Sequence, residues 1–126
     1  MLTFETIIQT YQRIESRKNL FLDNNKHIVY YIAVIKSFRC RETEKIFQRE
    51  FSRKFAHDIQ QRAFVKLNAI DAAISIEDLR LPPSNRLEPL KGKRQGQWSI
   101  RINDQWRICF IWLNDNAEKV EIVDYH

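Results

Sequence analysis

All three prolines and both glycines of the chain fall between positions 82 and 96: Pro82, Pro83, Pro89, Gly92 and Gly96. Proline removes a backbone donor and clashes inside a helix, and glycine weakens helix and strand interiors alike, so this stretch has to be loop. The segments on either side contain neither residue, and their apolar periods differ. Before the loop, apolar residues recur every three to four positions; after it, they alternate. A chain divided in this way is restricted to helices before the break and strands after it, packed as an α+β layer.

Upstream, Thr43–Phe55 carries Ile46, Phe47, Phe51 and Phe55 at helical spacing, with Glu42 and Glu44 near its start where the helix dipole favours anions. Asp58 can cap a second helix whose inward stripe is Ile59, Ala63, Leu67, Ile70 and Ile74. Its exposed face carries Gln60, Gln61, Arg62 and Lys66. Downstream, Gln97–Asn103, Trp106–Leu113 and Lys119–Tyr125 read as strands, separated by turn-forming Asn103-Asp104-Gln105 and Asn114-Asp115-Asn116. Trp98, Ile100 and Ile102, then Trp106, Ile108, Phe110 and Trp112, alternate and are expected to bury one sheet face against the helices. Ahead of the helices, His27–Phe38 is rich in Ile, Val and Tyr; it reads as one strand or as an irregular lead-in to a strand at Ile35–Arg39, and the second is expected. Phe4–Ile14 has the spacing of a short amphipathic helix, and Asp23-Asn24-Asn25 that of a turn. The predicted order is strand, two helices, then a three-stranded antiparallel meander.

With 126 residues, 44% of them hydrophobic and 29% charged, the chain is expected to fold around one core rather than stay disordered. Ile28 to Ile35, the longest charge-free run near the N-terminus, is far shorter than the ~20 apolar residues of a membrane span. The opening residues lack the pattern of a secretory signal, so a cytoplasmic protein without a membrane partner is expected. Cys40 and Cys109 lie far apart without metal-ligand spacing. Both are expected to be reduced, with no metal site and no cofactor. The net charge of +5 is concentrated between positions 80 and 107, where Arg80, Arg86, Lys91, Lys93, Arg94, Arg101 and Arg107 oppose only Glu88 and Asp104. Such a window points to an anionic partner.

Three ordered segments carry a family resemblance: Asn85-Arg86-Leu87-Glu88-Pro89-Leu90-Lys91-Gly92, Gly96-Gln97-Trp98-Ser99-Ile100-Arg101-Ile102-Asn103-Asp104-Gln105-Trp106-Arg107-Ile108, and the closing Val123-Asp124-Tyr125-His126. Together with Ile35-Lys36-Ser37-Phe38 they resemble the HigB branch of the RelE/ParE superfamily, over roughly Val34 to His126. The resemblance implies a small toxin of a bacterial type II toxin–antitoxin system. Such a toxin cuts mRNA in the ribosomal decoding site and is restrained by a HigA-like helix-turn-helix antitoxin.

RNA supplies its own nucleophile, the 2′-hydroxyl, so cleavage needs only an acid, a base and cations to stabilise the phosphorane. Arg107 is the candidate clamp, because a guanidinium fork binds two phosphate oxygens; Lys91 is the candidate point charge. His126 has a side chain suited to proton transfer near neutrality. Asp124 can orient or accept a proton, and Tyr125 can donate to phosphate or stack on a base. Regular alternation would put Tyr125 opposite Asp124 and His126, so the last strand is expected to twist or end near Val123. Some members of the family have a catalytic histidine where this chain has Glu88, which either replaces it as a base or pairs with Arg86 or Lys91. Lys36, Arg39, Arg94 and Arg101 are candidate contacts to RNA phosphates. The alternatives are a non-catalytic gyrase inhibitor like the ParE toxins, or a basic nucleic-acid-binding regulator.

Residues 1–33 have no place in the resemblance. Ten of the seventeen residues from Lys18 to Val34 are Lys, Asn, Phe, Ile or Tyr, types with AT-rich codons, as translated promoter DNA would give. A valine codon can serve as a bacterial start, so translation is expected to begin at Val34, leaving 1–33 an artefact of start-site assignment. The competing reading is a genuine extension whose Phe4, Ile7, Ile8, Tyr11 and Ile14 face packs on the domain or on another chain. Intact-mass measurement of protein made from the native gene decides: the expected species spans 34–126, and a full-length mass would establish the extension.

Overall fold

The computed structural model describes residues 3–5, 8, 18–22 and 24–125. The expected helix over Phe4–Ile14 lies largely outside the described residues, as does Asp23 of the expected turn. Lys18–Leu22 (β1) and Ile28–Ile32 (β2) form an antiparallel hairpin, a two-stranded sheet of its own. This corrects the reading of His27–Phe38. Its β-branched and aromatic residues at 28–32 form a regular strand, whereas Ile35–Arg39 forms only isolated parallel bridges, Ile35 to Ala117 and Phe38 to Val120.

The main body is α1 (Arg41–Phe47), α2 (His57–Ala72), then β3 (Glu88–Pro89), β4 (Trp98–Arg101), β5 (Trp106–Leu113) and β6 (Asn116–Asp124). The four strands form one antiparallel sheet in chain order, so the meander gains a two-residue first strand in the proline-containing loop. The Val34–Arg39 backbone runs along the outer edge of β6, exchanging bonds with it from Val34 O to Ala117 N (2.9 Å) through Arg39 N to Val120 O (3.0 Å). This covers the sheet edge that would otherwise expose unpaired backbone.

The helices bury one face of the sheet. Ile59, Ala63, Leu67 and Ile70 of α2 meet Ile100, Ile108, Phe110, Val120 and Ile122, with Ile46 and Val34 completing the core. The expected sheet alternation holds, and Trp98, Trp106 and Trp112 pack around the margin. α1 is shorter than its apolar period implies. Arg49 adopts a left-handed backbone (φ 63°) just past its end, and residues 48–56 fold as a loop around the side chain of Gln60. Gln60 accepts from Ser52 N (3.0 Å) and donates to Ser52 O and Phe55 O (2.7 Å each). Its burial there reverses the expectation that it lies on the exposed face of α2. Phe55 still enters the core, edge-on to Trp106 at 5.2 Å, whereas Phe51 is 67% exposed. α2 begins after Ala56 without a side-chain cap, so Asp58 sits in its first turn rather than at its cap. Ile74 lies beyond the helix, half-buried.

The long loop also contains order that breaker residues do not announce. Ser75 and Asp78 form a reciprocal capping box on a 3-10 turn, Ile76–Arg80, and further 3-10 turns occupy Pro83–Asn85 and Gly92–Arg94.

β6 carries a bulge. Ile111 pairs with Glu118 and Cys109 with Glu121, so β6 contains one extra residue, and Lys119 takes it up at φ 53°. The extra residue shifts the alternation by one, which keeps Ala117 and Val120 in the core and turns Glu121 outward beside Cys109.

Asp71 joins the helical layer to the edge segment, its Oδ1 accepting from both Val34 N and Ile35 N at 2.9 Å. Removing that acceptor strands two backbone donors, each costing ~1–3 kcal/mol where water does not replace it. Asp71→Ala is therefore expected to lower unfolding free energy in urea by about 2 kcal/mol or more, and Asp71→Asn by much less. Equal losses would show that charge rather than acceptance matters.

Candidate active site

The outer face of the sheet, away from the helices, is polar in its middle. The register sets Glu88, Ser99, Cys109 and Glu121 side by side across all four strands, and sets Arg101 and Arg107 opposite one another in the adjacent row. Two guanidiniums directly opposed repel, and each has a nearby anion: Arg101 pairs with Asp104 in the β4–β5 turn, and Arg107 lies 3.6 Å from Glu88.

Arg107 is only 7% exposed. Its Nε donates to Ser99 Oγ at 2.8 Å, while Nη2 donates to Arg86 O at 2.6 Å and Ser99 O at 3.3 Å. Both carbonyl acceptors are placed by local structure. Arg86 stands in a left-handed conformation (φ 46°) at the end of the Pro83–Asn85 turn, which brings its carbonyl to the guanidinium. Asn85 beneath it is fully buried, its amide donating to Leu79 O (3.1 Å) and Leu81 O (3.2 Å) and its oxygen accepting from Lys66 Nζ. Burial of Lys66, with the Arg62 charge adding to it, pulls its ammonium below the usual lysine range. Among the described residues the hydrogen bonds of Arg107 are made through Nε and Nη2.

Tyr125 lies over that fork, its ring centroid 5.5 Å from the Arg107 guanidinium carbon. Glu88, Pro89, Leu90, Lys91 and Tyr125 line a cleft of about 270 Å³. The structure thus brings together Arg107, Glu88, Lys91 and Tyr125. It puts Asp124 elsewhere: β6 runs one residue past Val123, Asp124 pairs with Trp106 on the helix-facing side, and Gln105 Nε2 donates to it at 3.1 Å. His126 lies outside the described residues. Glu88 is paired with Arg107, not with the Arg86 or Lys91 partners expected of it.

Of the candidate phosphate contacts, Lys36 is exposed on the edge segment and Arg101 adjoins Arg107. Arg39 and Arg94 converge on Glu121, at 3.7 and 3.1 Å. Burial pushes the Cys109 thiol, beneath this group, above its ordinary value. Ser99, Asn85 and Glu121 had no sequence signal of their own. Ser99 alternates with Ile100, which marks it as outward-facing, but only the register shows that Arg107 reaches it.

Two helices packed on one face of a four-stranded antiparallel sheet form an α+β layer consistent with the small RelE-like toxins. Residues 36–126 match the model of the HigB-like toxin family, described as RelE-like toxin of type II toxin-antitoxin system HigB, and the chain belongs to that family. It is 46% identical over 59 residues to Toxin HigB-1 of Vibrio cholerae, covering 47% of this chain and 62% of that protein. It is 34% identical over 93 residues to Endoribonuclease HigB of Proteus vulgaris, covering 74% of this chain and the whole of that protein. A Haemophilus influenzae protein without an assigned function is 45% identical over 53 residues, half of its length. The matched stretches thus span less than two thirds of the Vibrio and Haemophilus relatives.

The Ser99–Arg107 bond can be isolated by a double-mutant cycle in urea denaturation. Ser99→Ala and Arg107→Ala are each expected to destabilise, with a coupling of about 1–3 kcal/mol because either change alone leaves a buried partner unsatisfied. Additive effects would remove Ser99 from the support of the site.

Proposed function

We propose that this chain is a ribosome-dependent mRNA endonuclease, the toxin of a pair whose other member is a HigA-like antitoxin, acting in the cytoplasm on mRNA held by the ribosome. The toxin domain in this reading is 34–126. The observation that carries it is the buried Arg107 fork, held on two sides by protein acceptors and in contact with Glu88 and Tyr125, two of the residues that line the cleft with Lys91. Fixed donors in a dry site stabilise charge that develops during reaction without reorganising at that moment. The endoribonuclease named among the relatives supports the same chemistry.

In this mechanism the 2′-oxygen of the upstream ribose attacks the adjacent phosphorus as its proton passes to a base. The bond from phosphorus to the 5′-oxygen breaks, and that oxygen takes a proton from an acid. The products are a 2′,3′-cyclic phosphate and a 5′-hydroxyl, and no metal enters. Arg107 and Lys91 stabilise the equatorial oxygens, Glu88 and His126 share the two proton transfers, and Tyr125 holds a base or phosphate oxygen against the guanidinium. Asp124 orients the terminus from the other side of the strand. Lys36, Arg39, Arg94 and Arg101 contact neighbouring phosphates, which positions the strand without reading sequence.

The test is mRNA cleavage by the purified protein, with and without translating ribosomes. Cleavage is expected only on ribosomes, with Arg107→Ala reducing the rate by about 10²–10³ and His126→Ala reducing it as well. Growth inhibition without cleavage would instead establish a gyrase inhibitor or a binding protein.

A further inference from the structure

Glu121 is an anion placed among cations on the face where the Arg107 site lies. Arg94 Nη1 donates to its Oε1 at 3.1 Å and is held in turn by Gln97 Oε1 at 3.1 Å; Arg39 Nη1 stands 3.7 Å from the same oxygen. The Glu121 side chain is 17% exposed, whereas the Arg39 and Arg94 side chains are 44% and 33% exposed. Their remaining N–H groups can therefore reach an incoming ligand from solvent. The register sets Glu121 directly across from Cys109, two residues along β5 from Arg107 on the same face of the sheet. Glu88 and Glu121 stand at the two ends of one cross-strand row, about 14 Å apart at the usual strand spacing. An RNA strand laid along that row covers the distance in a few nucleotides.

We propose that Arg39 and Arg94 form a second phosphate subsite flanking the Arg107 cleft, and that Glu121 occupies it as a resident counter-anion which the RNA backbone must displace. The inference rests on the nuclease reading above and deepens it. A carboxylate and a phosphate oxygen make comparable charge-assisted bonds to a guanidinium, so exchanging one for the other is nearly balanced. The pair then contributes little net affinity while Glu121 is charged, and the carboxylate limits how tightly the face binds any polyanion. Removing its charge leaves two guanidiniums without their shared anion, and the subsite favours phosphate. The bulge at Lys119 is what makes this arrangement possible, because the phase of the strand beyond it is what turns Glu121 outward.

The probe is a single-stranded RNA oligonucleotide carrying 2′-O-methyl groups throughout, which binds but cannot be cut, titrated with the full chain over a range of salt. Glu121→Gln is expected to tighten binding about three- to tenfold and to steepen the salt dependence by about 0.7 in log–log slope for each phosphate gained. Arg39→Ala and Arg94→Ala, both on partly exposed side chains, are expected to cost more affinity in the Glu121→Gln background than in the wild type. Unchanged or weaker binding by Glu121→Gln, or arginine effects that do not depend on residue 121, would overturn the proposal. A wild type that binds as described but cuts no mRNA would leave the subsite standing and remove the nuclease reading. Failure of both wild type and Glu121→Gln to bind the oligonucleotide would remove the subsite.

Discussion

A guanidinium removed almost entirely from water has to find acceptors for its N–H groups or the fold that buries it loses several kcal/mol. Arg107 is in that position near the start of β5, and much of the sheet's outer face is arranged around it. Ser99 is small enough to leave room beside it and carries the oxygen that Nε requires. The turn ending at Arg86 offers a carbonyl because Asn85 anchors it from below, and Asn85 is itself bonded to Lys66 of α2. The helical layer therefore supports a group on the far side of the sheet through the loop that wraps its edge.

This arrangement separates two roles that charge plays in the molecule. Glu88 offsets the buried arginine at one end of the cross-strand row, where the cleft opens, and Glu121 offsets two more exposed arginines at the other. An exposed ion pair adds little to stability, so the value of the second group lies in the potential that it sets on the surface. The Arg107 group is different: its guanidinium is buried, and Ser99 and the Arg86 carbonyl fix the direction of its donors.

The core was legible because periodicity reports burial directly. Ile59, Ala63, Leu67 and Ile70 repeat with a helix and are buried, and Ile100, Ile108 and Phe110 alternate with a sheet and are buried opposite them. The same reasoning overextended α1, because Phe47, Phe51 and Phe55 keep helical spacing while the backbone does not. Phe55 reaches the core from a loop whose polar groups Gln60 satisfies, and no local pattern records a glutamine folding back over eight residues. Ile35–Arg39 was marked by composition as strand, but Lys119 turns its partner, and only two bridges form.

Sequence alone determined the division into helical and sheet halves, the inward faces of both and the basic window, and its family resemblance singled out Lys91, Arg107, Asp124, Tyr125, His126 and Glu88 as the residues to examine. The halves and their faces follow from periods that depend only on neighbours along the chain. Tertiary structure decided what those residues touch. Glu88 meets Arg107 because β3 lies next to β4, and Tyr125 covers that guanidinium while Asp124 turns to the other face. Glu121 faces Arg39 and Arg94 because one extra residue in β6 reverses the phase of the strand. Register, bulges and long-range hydrogen bonds join residues tens of positions apart, and such pairings are fixed only when the sheet is assembled.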